Sequence, residues 1–266
     1  MGALRTATSL GGATQASVWV VHPQQGRAVV VKSAHDPASF GLEVHAYRTW
    51  GKALSGLVPE LVAVLAAHHT LVLEWIEGEP AASVEPETLL SLHRQAGTFC
   101  RRLASCAHED VDPMGLPEAL ALRMRGWCRR GARHLSSATL DAAASRFDPT
   151  AFEGATRVPA HRDLAPHNWI VVDGPEPCLR VVDFGHARAD APLTDLVKLW
   201  DAPWEATPGA RAAFFEGYGR PLTHDETHQL RQLALLHGVA TAVWGHEHGE
   251  PEFFALGGRI LRRLLD

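Results

Sequence analysis

The sequence predicts an α+β protein of two lobes, a small β-rich N-lobe followed by a larger helical C-lobe. Three features of the chain lead there. Up to residue 76 the apolar residues come in short β-branched runs, "ASVWVVH", "RAVVVKS", "ELVAVLAA" and "TLVLEWI", separated by turn-forming residues. From about residue 86 they recur every three to four positions, as in Leu89, Leu92, Ala96, Phe99 and Leu103, which is the period of a helix with one buried stripe. A single further hairpin, "WIVVD" and "CLRVVD", interrupts the helical half. Strands grouped ahead of helices, instead of alternating with them, argue against a βαβ layout.

Taken in order, a first strand precedes "SLGGATQAS" (9–17). The runs at 16–22 and 27–33 are joined by "PQQG", with Pro and Gly where a hairpin turn needs them. Leu42, His45 or Ala46, and Trp50 are spaced for a helix over 39–54 with Ser39 as its N-cap. Two more strands flank His68 and His69 and bring the set to five. "EGEPAASVEP" (77–86), rich in Pro, Gly and Glu, is the expected linker, so the N-lobe spans 1–78 and the C-lobe 79–266. Further helices are expected at 117–135, 139–147, 192–201, 208–218, 224–245 and 252–265, with the hairpin turned at "GPEP" among them.

The chain of 266 residues is long enough for one large domain or two lobes sharing an interface. Its 46% hydrophobic and 21% charged residues are ordinary for a soluble globular protein. A net charge of −5 argues against nucleic acid as a partner, because phosphate binding requires a basic face. Cys100, Cys106, Cys128 and Cys178 show neither C-x-x-C spacing nor disulfide-framework density, and read as reduced thiols. "MGALRTATSLGG" has no apolar signal-peptide core, and no run reaches transmembrane length. The expectation is a soluble cytoplasmic protein with no membrane partner. Among the histidines, His224 and His228 are four apart but lack the adjacent Glu of a zinc-protease helix, so zinc is not expected.

The chemistry is concentrated in "PAHRDLAPHNWIVVDGPEPCLRVVDFGHA" (159–187). Asp163 and Asn168 lie on the loop entering the hairpin, and Asp183 lies where its second strand ends. A hairpin returns the chain to its start, so Asn168 and Asp183 can face one point. A carboxylate and an amide oxygen converging there are hard ligands of the kind Mg²⁺ takes, with phosphate oxygens and water completing the shell. Asp163 is then available as a base accepting a hydroxyl proton, a role worth on the order of 10²–10⁴ in rate.

"HRDLAPHN" and "VVDFG" resemble the H-x-D-x-x-x-x-N catalytic loop and the metal-binding segment of protein-kinase-like enzymes. More closely, the chain resembles the aminoglycoside phosphotransferase family of antibiotic and small-molecule kinases. Those enzymes carry a similar loop, often with Pro at the position of Pro166, and an Asp one turn into the next helix, as in "PLTDLVKL". The layout matches over nearly the whole chain; the two central motifs are the sharp part. The resemblance implies a bilobal protein-kinase-like fold with ATP or GTP and Mg²⁺ as cofactors. Asp163 is then the base, His161 a support of the catalytic loop, and Asn168 and Asp183 the metal ligands. By the same resemblance Lys32, ending "AVVVKS", grips the α- and β-phosphates and is aimed by Glu43. "SLGGATQAS" occupies the place of the nucleotide-covering loop and puts Gly12 and Thr14 at the nucleotide, although its adjacent glycines depart from G-x-G-x-x-G. "LVLEWIEGEP" resembles the segment joining the lobes, so the backbone of Glu74 and Ile76 faces the purine edge, which leaves ATP and GTP undistinguished.

Only six residues separate Gly185 from Pro192, and no A-P-E follows, so a long activation segment with a peptide platform is not expected. No Walker A motif is present either. The acceptor is therefore a small molecule. Within 223–252, Asp225, Glu226, Glu247, Glu250 and Glu252 face a single Arg231, and the family's acceptor site is acidic when the substrate is a polycation. Asp201, Glu205 and Glu247 are the acceptor-binding candidates. The expected activity is transfer of a γ-phosphoryl group to a hydroxyl of a small cationic antibiotic, of aminoglycoside or cyclic-peptide type, giving resistance. The alternatives are a metabolic kinase acting on choline, homoserine or a sugar amine, and a catalytically silent nucleotide-binding regulator. The usual mark of the last is loss of Lys32, Asp163 or Asp183, and all are present.

Overall fold

The computed structural model describes residues 4–10, 16–110, 112–200 and 202–266; Gly12, Thr14 and Asp201 lie outside the described residues. In chain order, β1 (Leu4–Ser9), β2 (Ala16–Pro23) and β3 (Val29–Ala34) lead to α1 (Pro37–Trp50), then β4 (Leu61–Leu65), β5 (Thr70–Glu74) and the short β6 (Glu79–Pro80). Next come α2 (Pro86–Ala104), α3 (Leu116–Gly131) and α4 (Ser137–Arg146), followed by β7 (Val158–Ala160), β8 (Trp169–Val172), β9 (Cys178–Val181) and β10 (Arg188–Asp190). The chain finishes with α5 (Val197–Trp200), α6 (Ala202–Ala206), α7 (Ala210–Tyr218), α8 (His224–Glu247) and α9 (Pro251–Leu265). Among the described residues no helix is long and apolar enough to cross a membrane.

These elements form two compact units that interleave along the chain. One holds the residues up to His108 with Pro159–Ala189 and Ala206–Arg220; the other holds Glu109–Val158, Asp190–Glu205 and Pro221–Asp266. The division does not fall at residue 78, because α2 and the β8–β9 hairpin group with the N-terminal sheet.

In the first unit the five expected strands form one antiparallel sheet of order β1-β2-β3-β5-β4. Residues directly opposite one another across a sheet share a face. Lys32 on the central β3 stands opposite Val18 and Leu71, and Leu71 is fully buried, so Lys32 projects into the interior. The helix α1 begins earlier than its spacing suggested. Asp36 is the N-cap, its carboxylate accepting from the backbone N–H groups of Ala38 (3.2 Å) and Ser39 (2.9 Å), with Pro37 in the first turn. Ser39, the expected cap, instead donates its hydroxyl to the Gly185 carbonyl at 3.0 Å. The inward face of α1 is Glu43, Ala46, Tyr47 and Trp50, one position round from the apolar spacing, and His45 is exposed.

The stripe of α2 is as its period indicated: Leu92, Ala96, Phe99 and Leu103 are all fully buried. α7 lies against it so closely that a Cβ on Gly97 would stand 2.0 Å from the Phe214 carbonyl oxygen, and one on Gly217 1.7 Å from that of Arg94. β8 and β9 form the hairpin, Trp169 opposite Val181, and β6 adds to the other side of β8.

The second unit is helical. α8 opens on a complete capping box between Thr223 and Glu226 and is buried around most of its length, with α9 packed along it through Ile260 and Leu261. The helix expected over 192–201 does not form as one piece. Leu193 has φ 68°, outside any right-handed helix, so a 3₁₀ turn over Thr194–Leu196 precedes α5.

Candidate active site

The site is built within the first unit. Lys32 Nζ donates to Glu43 Oε1 at 2.9 Å and to Asp183 Oδ1 at 2.8 Å, and lies 2.8 Å from Glu43 Oε2. The expected Lys32–Glu43 pair is thus in place, and the same ammonium also reaches Asp183. Glu43 Oε1 further accepts from the Phe184 N–H at 3.2 Å, which ties α1 to the end of the hairpin. Burial alone would depress the Lys32 pKa, but the carboxylates of Glu43 and Asp183 outweigh it and hold Lys32 above its ordinary value. For Asp183 burial acts upward, yet Lys32 and the Gly185 N–H hold its carboxyl below the usual range. Glu43 is the most deeply buried of the three, 1% exposed, and burial pushes its pKa up against the pull of Lys32. A charged lysine between two carboxylates is a compact positive centre aimed by the fold.

The loop from His161 to Asn168 is held by hydrogen bonds. The fully buried His161 accepts from the Asp163 N–H through Nδ1 (3.3 Å), so Nε2 carries the proton and donates to the Val182 carbonyl (3.0 Å). Its ring meets Phe184 edge-on at 4.6 Å, and Phe99 of α2 backs both rings. Both ring nitrogens of His161 are thus engaged by backbone groups. Asn168 donates through Nδ2 to the Asp163 carbonyl (2.8 Å) and to its Oδ2 (3.0 Å), and His167 Nε2 also lies 3.3 Å from that oxygen. Arg162 (φ 64°) and Asp183 (φ 66°) both take the left-handed conformation that non-glycine residues rarely adopt; such strain persists only where surrounding contacts enforce it.

The donors fit a hard divalent cation. Asn168 commits only its amide N–H groups, keeping Oδ1 as an acceptor, and Asp183 commits Oδ1 to Lys32 and Gly185 while Oδ2 has no hydrogen bond among the described residues. Oxygen atoms of a carboxylate and an amide are ligands Mg²⁺ accepts.

The remaining expected residues are placed as follows. Glu74 ends β5, its N–H bonded to the Glu60 carbonyl (2.9 Å) and its carboxylate to the Glu60 N–H (3.2 Å); Ile76 follows two residues on. Glu205 and Glu247 belong to the second unit, and each is engaged by an arginine: Glu205 by Arg263 at 2.7 Å, Glu247 by Arg130. Three residues at the site escaped the sequence reading. Ser39 is expected there as a cap, and Tyr47 and His167 are not singled out. His167 had one signal, its i, i+4 spacing from Asp163; the other two had none.

The chain matches the sequence model of the phosphotransferase enzyme family across residues 6–234. A search by sequence against curated proteins finds no match. Solved structures match by fold at low identity. A thermostable mutant of aminoglycoside phosphotransferase APH(4)-Ia, in a ternary complex with ADP and hygromycin B, aligns with a TM-score of 0.76 at 12% identity, covering 98% of this chain and 94% of that one. The GDP and kanamycin complex of APH(2")-IIIa aligns at 0.73 and 15%, covering 98% and 93%. A choline/ethanolamine kinase family protein from Mesorhizobium loti aligns at 0.71 and 18%, covering 98% and 87%. With a family match over most of its length and a kinase-like fold beneath it, this chain belongs to the phosphotransferase enzyme family.

Proposed function

We propose that the protein transfers the γ-phosphoryl group of ATP or GTP to a hydroxyl of a small antibiotic-like molecule. The observation that carries this reading is the pairing of two arrangements in one unit: Lys32 held between Glu43 and Asp183, and Asp163 held by Asn168 beside it in the loop. In this reading Lys32 presents its ammonium to the nucleotide phosphates, already aimed. Asp163 accepts the proton of the acceptor hydroxyl as its oxygen bonds to phosphorus and the nucleoside diphosphate leaves. Asn168 holds the Asp163 carboxylate in place. Asn168 and Asp183 would hold Mg²⁺, which when bound neutralises charge on the phosphate oxygens.

A metabolic amino alcohol is the second reading. It is favoured by the choline/ethanolamine kinase family neighbour, and by the way Glu205 and Glu247 are already neutralised by arginines, which leaves fewer acids for a polycation. The test is coupled nucleotide turnover with ATP and GTP against aminoglycosides, cyclic-peptide antibiotics and small amino alcohols, with Asp163→Ala in parallel. Turnover with one antibiotic class, lost in the variant and matched by a product heavier by one phosphoryl group, supports the first reading. Turnover confined to amino alcohols moves the protein to the second.

A further inference from the structure

The second unit contains a cavity of about 460 Å³ formed by α3, α4 and the turn after α4. That volume is within the range of small-molecule sites. Met124, Cys128, Phe147 and Pro149 contribute an apolar lining, and its charged groups are Arg125 and Arg129. These arginines are one turn apart on α3, so they lie on the same side of the helix, where two like charges repel.

Neither arginine has a hydrogen bond or ion pair among the described residues. Others on the same helix do. Arg123 grips both oxygens of Asp190, and Arg130 holds Glu247 while lying over the Trp127 ring. The carboxylates near the cavity do not replace the missing partner. Asp148, beside Pro149, is bonded to the Thr150 hydroxyl (2.6 Å) and faces His228 (3.4 Å). Asp141 of α4 is near enough to act on the Cys128 thiol but pairs with neither arginine. The floor is soft as well as apolar: the Cys128 and Met124 sulfurs lie 3.7 Å apart, and sulfur packs favourably against aromatic rings.

We propose that this cavity is a binding site for a small aryl carboxylate. Its ring lies on Met124, Cys128 and Phe147, and its carboxylate is held by Arg125 and Arg129, a geometry suited to the guanidinium fork. The site does not depend on the phosphotransferase reading and is tested without any turnover measurement.

Cys128 supplies a reporter in the lining. The full chain carries Cys178→Ser, because Cys178 is the exposed thiol, and naphthoate is the probe. Binding is followed by equilibrium dialysis, and the alkylation of Cys128 by iodoacetamide is followed by peptide mass spectrometry at mildly alkaline pH. Naphthoate is expected to bind once per chain and to slow Cys128 alkylation about fivefold or more, and the uncharged naphthylmethanol to bind about tenfold more weakly. Arg125→Gln with Arg129→Gln is expected to weaken naphthoate about tenfold while leaving the alcohol unaffected. Both side chains are exposed, so the melting temperature should hold; if the double variant fails to fold, the acid–alcohol comparison on the unsubstituted arginines decides. Equal affinity for acid and alcohol, or naphthoate that leaves Cys128 unprotected, overturns the proposal.

Discussion

Lys32 Nζ lies 2.8 Å from Asp183 Oδ1 and 2.9 Å from Glu43 Oε1, so one ammonium joins residues 151 and 11 positions away in the chain. Its removal is the most direct probe of the site. Lys32→Met leaves Glu43 buried without its cation, and stability at neutral pH should fall by about 3 kcal/mol, with turnover reduced about 10²-fold or more. The pH dependence has a definite sign. Asp183, depressed from 3.8, contributes stability that is present above that pH and lost in acid, and Lys32, raised from 10.5, contributes stability that is present below it and lost in strong base. Without Lys32, Glu43 is held up by burial, which costs the variant more stability the further pH rises through the carboxylate range. The gap between wild type and Lys32→Met in denaturant unfolding should therefore widen from acid toward neutral pH. A gap independent of pH would mean the ion pairs do not stabilise the fold.

Asp163→Asn keeps the shape of the loop and removes the carboxylate proposed as the base. The expected result is a fall in kcat of about 10²–10⁴-fold with nucleotide affinity nearly unchanged. An equal loss in affinity and kcat, measured by titration and steady-state rates, would place Asp163 in nucleotide binding instead.

His93 is fully buried on α2, edge-on to Trp169 at 5.1 Å, and neither ring nitrogen has a hydrogen-bond partner among the described residues. Burial lowers its pKa from 6.5 to about 4. The unfolded chain thus binds a proton more readily than the folded one between those values, and stability falls as pH drops from 6.5 toward 4. At about 1.4 kcal/mol per pH unit the full loss is about 3.5 kcal/mol. His93→Leu should flatten that part of the stability–pH curve, whatever it does to stability at neutral pH.

The Tyr47 hydroxyl is buried next to Glu43 on α1 with no hydrogen-bond partner among the described residues, and burial carries its pKa well above the ordinary value. Removing an unpartnered buried hydroxyl relieves its desolvation cost. Tyr47→Phe should leave stability unchanged or raise it by up to about 1 kcal/mol, read by denaturant unfolding. A clear loss would show that the hydroxyl is bonded in solution.

A Cβ on Gly185 would stand 2.7 Å from Ser39 Oγ and 3.3 Å from Asp183 Oδ1. Gly185→Ala should displace Asp183 and lower turnover about tenfold or more. Since Ser39 Oγ is the nearer obstacle, Ser39→Ala should restore part of the loss in the double variant, a coupling that independent effects would not produce.

Much of this was legible in the sequence because it is local. The β-branched runs, the α2 period and the spacing of Asp163, Asn168 and Asp183 each depend on a short stretch of chain, and each has its place in the structure. Propensity and periodicity act over a few residues, so they indicate elements and motifs but not which face of an element turns inward. Burial of Glu43 is the case in point: apolar spacing pointed α1 one position away, and only Lys32 and the Phe184 N–H make a carboxylate tolerable at that place. Asp36 displaced Ser39 as the cap because Ser39 had a tertiary partner in Gly185. The arginines that neutralise Glu205 and Glu247, and the pair at 125 and 129 left without carboxylates among the described residues, were equally hidden. Charge composition counts such groups but cannot pair them. The sequence by itself determined the family, the order of most elements and the spacing of Asp163, Asn168 and Asp183. Tertiary packing decided which charges meet, because a salt bridge is made at about 3 Å between side chains as far as 151 residues apart in the chain.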